Sequence, residues 1–250
     1  MFKTIAIIQA RMGSTRLPGK ILKNVKDIPL LEHEINRLRK SKLIDKIVVA
    51  TTDCAEDNAT EELCKKIGVD CFRGNDTDVL DRYYKCSQKY PEYKTIIRIT
   101  GDCPLIDEKV VDEVINFFNN GEYDYASNIE FGKHGYPDGI NAEILTKEAL
   151  EKSWKDAKLK SEREHVTLYI RNNPSLFKSG HISSKEDLSH YRLTVDNPED
   201  FEVIKFLMET VGTDAGYKTY VETLDKNPDI INKNAHIKRY EGLKKSIKND

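Results

Sequence analysis

Ile5-Ala6-Ile7-Ile8 is an unbroken apolar run that passes directly into Gln9-Ala10-Arg11-Met12-Gly13-Ser14-Thr15-Arg16-Leu17-Pro18-Gly19-Lys20, a loop with two glycines and three cations. A run without polar alternation is the pattern of a strand covered on both faces. Lys46-Ile47-Val48-Val49-Ala50-Thr51 and Thr95-Ile96-Ile97-Arg98-Ile99 repeat it. These three segments predict neighbouring parallel strands. Between them, Leu31, Ile35 and Leu38 stand at i, i+4 and i+7, and a helix over 56–67 is expected to stop at Gly68. Alternating strands and helices predict an α/β fold, a mostly parallel sheet flanked by helices with right-handed crossovers. Such sheets take ligands at the carboxyl ends of their strands, where the basic loop emerges.

The loop has the chemistry of a polyphosphate cradle. Glycine lets the backbone approach phosphate oxygens, Ser14 and Thr15 offer hydroxyls, and Arg11, Arg16 and Lys20 offer charge-assisted hydrogen bonds. It has neither the Gly-x-x-x-x-Gly-Lys-Ser/Thr order of a P-loop nor the Gly-x-Gly-x-x-Gly of a dinucleotide fold. A chain of 250 residues, 38% hydrophobic, can bury a sizeable core. A formal charge of −2 argues against a nucleic-acid binder, so phosphate binding is expected to be local. Cys54, Cys64, Cys71, Cys86 and Cys103 form no Cys-x-x-Cys pair, and their odd number fits reduced thiols in the cytoplasm, with no zinc site. No apolar run approaches the length of about 18 residues that a membrane span needs, and no signal peptide is read at the start.

Gln9 to Lys20 resembles the N-terminal signature of the cytidylyltransferases that make CMP-activated sugar acids, including the 3-deoxy-manno-octulosonate and acylneuraminate enzymes. The resemblance is closest to the spore-coat polysaccharide biosynthesis protein F-like branch, and it runs from residue 5 to about 205. It implies a Rossmann-like fold of the nucleotide-diphospho-sugar transferase type, one α/β domain over 1–250 with a small inserted dimerisation subdomain. Roughly 125–185 would form the acceptor pocket and a homodimer contact, and roughly 206–250 the C-terminal helices. The implied reaction is transfer of CMP from CTP to an acidic sugar or related small acceptor, with Mg²⁺. Arg11 and Lys20 would stabilise the α-phosphate, and Ser14 and Arg16 would grip the β- and γ-phosphates. Backbone groups around Ala10 and Met12 would select the pyrimidine, and Gly13 would also bind the nucleotide.

Further motifs carry the rest of the site. In Arg98-Ile99-Thr100-Gly101-Asp102-Cys103-Pro104 an apolar strand ends in Gly-Asp, which suits a hard cation shared with substrate phosphates. The resemblance likewise makes Asp102 a metal ligand, whereas Asp107 reads as a helix cap. Tyr191-Arg192-Leu193-Thr194-Val195-Asp196-Asn197-Pro198-Glu199-Asp200 reads as a short strand, then a helix with proline in its first turn. Asp196 either caps that helix or, as the resemblance implies, shares the metal with Asp102, with Arg192 beside it for a phosphate or an acceptor carboxylate. Within 74–83, Arg82 matches a nucleotide-side cation of the family, and Asp78 and Asp81 also suit a helix start. Tyr136, Asp138 and Glu143, with Arg163 and His165 of Arg-Glu-His-Val-Thr, resemble the acceptor side of the spore-coat branch.

His165 is either a general base or a hydrogen-bonded structural residue. His33, His134, His181 and His190 stand in no constellation, and Trp154 reads as a core or dimer contact. The tail from residue 232 to 250 is expected to be a solvated helix with a frayed end. Two other functions remain open. A glycosyltransferase could use Asp76-Thr77-Asp78 to hold a metal and a nucleotide-diphospho-sugar, and a nucleotide sensor could retain the cradle without chemistry.

Overall fold

A computed structural model of the chain describes residues 3–129 and 135–250, and His134 lies outside them. Strand β1 (Thr4–Gln9) leads through the basic loop to a small hairpin, β2 (Asn24–Val25) and β3 (Ile28–Pro29), and then to α1 (Leu30–Leu38). Next come β4 (Lys46–Thr52), α2 (Asn58–Ile67), β5 (Asp70–Gly74), α3 (Val79–Gln88), β6 (Thr95–Thr100) and α4 (Glu108–Asn119). The chain continues with β7 (Tyr125–Ser127), β8 (Glu143–Thr146), α5 (Lys147–Asp156), α6 (Lys160–Glu164), α7 (Leu168–Asn172) and β9 (Ser179–His181). It ends in α8 (Pro198–Val211), α9 (Tyr217–Asp225), α10 (Pro228–Ile231) and α11 (Glu241–Ile247).

The sheet order is β5-β4-β1-β6-β8-β7-β9. β1 lies parallel between β4 and β6, as the three apolar runs predict. Alternate side chains of β1 serve opposite faces. Ala6 and Ile8 pack with Leu31, Ile35, Leu38 and Val111 of α1 and α4, whereas Ile5 and Ile7 pack with Leu80 and Tyr83 of α3 and Leu150 of α5. The Tyr83 hydroxyl donates to the carbonyls of Ile7 and Ile99, tying α3 to two central strands. Gly68 takes φ +68 and stops α2 in a left-handed C-cap. Asp78 and Asp107 cap α3 and α4 through backbone N–H groups of Asp81 and Lys109.

The strands β7, β8 and β9 extend the same sheet: β8 pairs antiparallel with β6, β7 antiparallel with β8, and β9 parallel with β7. Two sequence expectations differ from the structure. Residues 191–195 form no strand; a single parallel bridge between Asp138 and Arg192 stands in its place. The chain there follows one residue of the 135–141 loop and then turns into α8, which is too brief a pairing to extend a ladder. The tail is not a fully solvated helix either. Asn234 and Ser246 are buried, and α11 packs against α6. No helix among the described residues is long and apolar enough to cross a membrane.

Candidate active site

The loop after β1 is folded back on itself by its own backbone. The Met12 carbonyl accepts from Ser14 N at 2.8 Å and from Gly19 N at 3.1 Å, with Gly19 at φ +65, a left-handed conformation that glycine adopts without strain. Met12 N donates to the buried Asp57 carboxylate at 2.9 Å. Asp57 is also bonded by the Thr60 hydroxyl, so the loop is referenced to the start of α2. Gly101 allows the next contact. A Cβ there would meet Ala10 Cβ at 2.8 Å and Gln9 O at 3.0 Å, so the ends of β1 and β6 approach only because residue 101 has no side chain.

Asp102 and Asp196 are joined through the backbone. Val195 N and the Thr194 hydroxyl both donate to the Asp102 carbonyl, at 2.8 and 3.0 Å. The two carboxylates then converge on Lys20, whose Nζ lies 2.9 Å from Asp102 Oδ2 and 2.9 Å from Asp196 Oδ1. Burial would lower the lysine pKa, but the two carboxylates outweigh it and raise it, keeping Lys20 an ammonium. Burial likewise opposes the charge on Asp196, yet Lys20, Arg16 and Arg192 hold that carboxyl down at about 2. Asp196 does not cap α8. Asp200 accepts from the backbone N–H groups of Asp196 and Asn197, which frees Asp196 to face the site.

Arg192 sits behind this pair. It contacts Asp200 and Asp138, each at 2.8 Å, and Asp196 at 2.9 Å. Gly139 makes room for that bridge: at φ +100, a Cβ would stand 2.5 Å from the Leu193 carbonyl carbon and 2.6 Å from Thr194 N. Deeper in, Glu143 binds Arg98, the Tyr125 hydroxyl and the Thr167 hydroxyl. Burial would raise its pKa, but Arg98 and these partners lower it, so it remains charged.

Two cavities meet over Asp102 and Asp196. One, about 690 Å³, is lined by Ala10, Arg11, Gly13, Ser14, Arg16 and Lys20, a volume within the range of nucleotide-sized pockets. The other, about 230 Å³, is lined by Arg98, Asp138, Glu143, Arg171 and Arg192 among others. Arg16, Thr100, Asp102, His165 and Asp196 line both. His165 Nε2 is buried without a hydrogen-bond partner, and burial together with Arg98 pushes the imidazole below its usual range.

Four expected site residues stand elsewhere. Met12, Arg82, Tyr136 and Arg163 line neither of these two cavities. Arg82 is buried against Gly74 and donates to the Asn75 carbonyl. Arg163 is held by Asp78 at 2.6 Å, and Tyr136 borders a separate cavity with Glu113 and Tyr217. Asp76 pairs with Arg11 and Asp78 with Arg163, and neither end of Asp76-Thr77-Asp78 lines the two cavities. Sequence reasoning missed Asp57, Arg98 in its site role, Arg171, Asp200 and the tail. Arg98 had a usable signal, since a cation inside an apolar strand requires a buried counter-charge.

The model of the cytidylyltransferase family matches residues 5–240, nearly the whole chain and every part of the two-cavity site except α11 and the turn after it. The chain belongs to the cytidylyltransferase family. As a cytidylyltransferase it is a CTP-dependent nucleotidyltransferase. It is 38% identical over 237 residues to the spore coat polysaccharide biosynthesis protein SpsF of Bacillus subtilis, covering 89% of this chain and 94% of that one. A cytidylyltransferase structure from Leptospira borgpetersenii superposes with a TM-score of 0.86 at 38% identity, covering 92% and 97% of the two chains. A CMP:2-keto-3-deoxy-manno-octonic acid synthetase, solved with CTP, shares the fold at 18% identity with a TM-score of 0.63, covering 83% and 98%.

Among the described residues no three His, Cys, Asp or Glu side chains converge to cage a metal. The junction of the two cavities instead has two carboxylates that meet on one cation, Lys20. Hard oxygen donors in that number suit Mg²⁺, which takes its remaining ligands from phosphates and water.

Proposed function

We propose that the protein transfers CMP from CTP to an acidic sugar or related small acceptor, releasing pyrophosphate, in surface polysaccharide biosynthesis. The observation that carries this reading is the convergence of Asp102 and Asp196 at the junction of the two cavities. The larger cavity would hold CTP and the smaller the acceptor. Asp102 and Asp196 would hold Mg²⁺, which when bound would offset charge on the α-phosphate and the departing pyrophosphate.

In the proposed step an acceptor oxygen attacks the α-phosphorus. The bond from that phosphorus to the bridging oxygen breaks, and pyrophosphate leaves with the electron pair. Arg11 and Lys20 would stabilise the phosphate charge, while Ser14 and Arg16 would hold the outer phosphates. Lys20, which holds both carboxylates in the free site, would turn toward the triphosphate when Asp102 and Asp196 hold a cation instead. His165 would take the acceptor's hydroxyl proton, a role supported by its neutral state and its place in both cavities. Lys238, which lines the acceptor side and makes no salt bridge among the described residues, favours an anionic acceptor, and the name of the SpsF relative supports a place in polysaccharide biosynthesis.

Assembly as a homodimer through roughly 125–185 rests on family resemblance, and light scattering coupled to size-exclusion chromatography tests it. The unpaired thiols support a cytoplasmic location. The central test is pyrophosphate release from CTP with Mg²⁺ across octulosonic and nonulosonic acids, neutral sugars and small phosphonates. Release that requires both CTP and a sugar acid is expected. Release with phosphonates or neutral sugars alone would overturn the acceptor class, and binding of UDP-sugars without CTP would overturn the reaction.

A further inference from the structure

Four lysine and arginine side chains line the nucleotide cavity, and three are already engaged: Arg11 by Asp76, Arg16 by Asp196, and Lys20 by Asp102 and Asp196. The fourth, Lys245, comes from α11 and makes no salt bridge among the described residues. It is not a stray lysine on a loose tail. On α11 and the turn after it, Gly242, Lys245, Ser246 and Asn249 recur at helical spacing on one face, and these are residues that line the cavity.

The segment is seated by specific bonds on either side of Lys245. Arg239 donates to the Tyr136 carbonyl at 3.2 Å and to Asn141 Oδ1 at 2.9 Å. The Ser246 hydroxyl donates to Glu164 at 2.6 Å, and the Asp250 carboxylate accepts from Ser161 N at 2.8 Å and from the Ser161 hydroxyl. Two of these seats are on α6, immediately before His165. The segment therefore forms one wall of the nucleotide cavity, and Glu241 and Gly242 continue that wall into the acceptor cavity.

A triphosphate arrives with about four negative charges, while the three loop cations are neutralised by carboxylates in the free site. We propose that Lys245 is a phosphate-binding residue and that the segment from 238 to 250 is a working wall of the CTP site, which rests on the reading of that cavity as the CTP site. Lys245 supplies the uncompensated charge that the Gly13 loop lacks, and Gly242 keeps the junction open. A Cβ at Gly242 meets nothing within 4 Å and its φ is not positive, so a large side chain there fills space without backbone strain.

The test is Mg²⁺-supported CTP binding to the full chain by calorimetry at low and high salt. Lys245→Ala is expected to weaken binding on the order of tenfold, less at high salt, the loss of one charge-assisted contact. Gly242→Trp is expected to abolish binding while leaving the melting temperature in place. Lys248→Ala, an exposed lysine outside both cavities, is expected to bind as the parent does. Parental affinity in both Lys245→Ala and Gly242→Trp would overturn the inference while leaving the CTP site intact. Failure of the unmodified protein to bind CTP would overturn both.

Discussion

Lys20 and Asp196 stand 176 residues apart in sequence and 2.9 Å apart in the fold. Asp102 completes the contact from a third region of the chain, so one ammonium holds together the two carboxylates proposed to bind the metal. The charge balance of the whole site turns on that ammonium.

Asp102→Asn and Asp196→Asn are expected to lower turnover by about 10²-fold or more, the cost of deleting one electrostatic stabiliser. Far-ultraviolet circular dichroism should remain that of the parent, since neither side chain is in the core. A folded Asp102→Asn protein with parental pyrophosphate release would remove that residue from the reaction.

Lys20→Met tests the exchange between lysine and metal. Without the ammonium, Asp102 and Asp196 face each other uncompensated, and a divalent cation relieves them. Mn²⁺ affinity measured by electron paramagnetic resonance is expected to rise on the order of tenfold, while CTP affinity falls. Unchanged Mn²⁺ binding would mean that Lys20 and the metal do not compete.

Arg192→Ala leaves Asp138, Asp196 and Asp200 without their shared cation. Breaking a buried ion pair from one side costs about 3–5 kcal/mol. Urea unfolding should show that loss as a lower midpoint with an unchanged slope. Loss of activity at parental stability would show that Arg192 acts only on substrate.

Gly139→Ala places a methyl group against the Leu193–Thr194 peptide. The loss expected is more than about 1 kcal/mol, and the displaced backbone is the one that carries Asp196. Divalent-cation affinity should fall together with the melting temperature. A parental melting temperature would mean that the backbone accommodates the methyl group.

Burial, Arg98 and Arg171 disfavour protonation of His165, while Glu164 and Glu143 act the other way, and the net shift is downward. The imidazole is therefore neutral above the ordinary histidine range of about 6.5 and becomes charged only at lower pH. If it takes the acceptor proton, kcat should be flat above that range and fall as pH drops through a value below it. His165→Gln should be slower and lose that acid limb, whereas a parental profile in the variant would assign the limb to another group.

Much of this fold was readable because β1, β4 and β6 are covered on both faces and have no alternation to confuse with a helix. The strands β7, β8 and β9 were not. They are only three or four residues long, too short for a period to register. Asp102 and Asp196 were legible as acids at the ends of apolar segments, although 191–195 turned out to be a bridged loop. The tail misled for a physical reason. Its burial is carried by small polar residues such as Asn234 and Ser246, and hydropathy does not distinguish a polar side chain bonded inside from one bonded to water.

The backbone zipper between Asp102 and Val195 also has a temporal consequence. During synthesis the basic loop and its strand emerge well before the second carboxylate, which follows Lys20 by 176 residues, and Lys245 is made later still. A nascent chain can therefore build most of the parallel sheet while having no complete place for a cation or triphosphate. Competence for CTP should appear only once Asp196 and Lys245 have both been made, which makes nucleotide binding a reporter of the assembled site rather than of sheet formation.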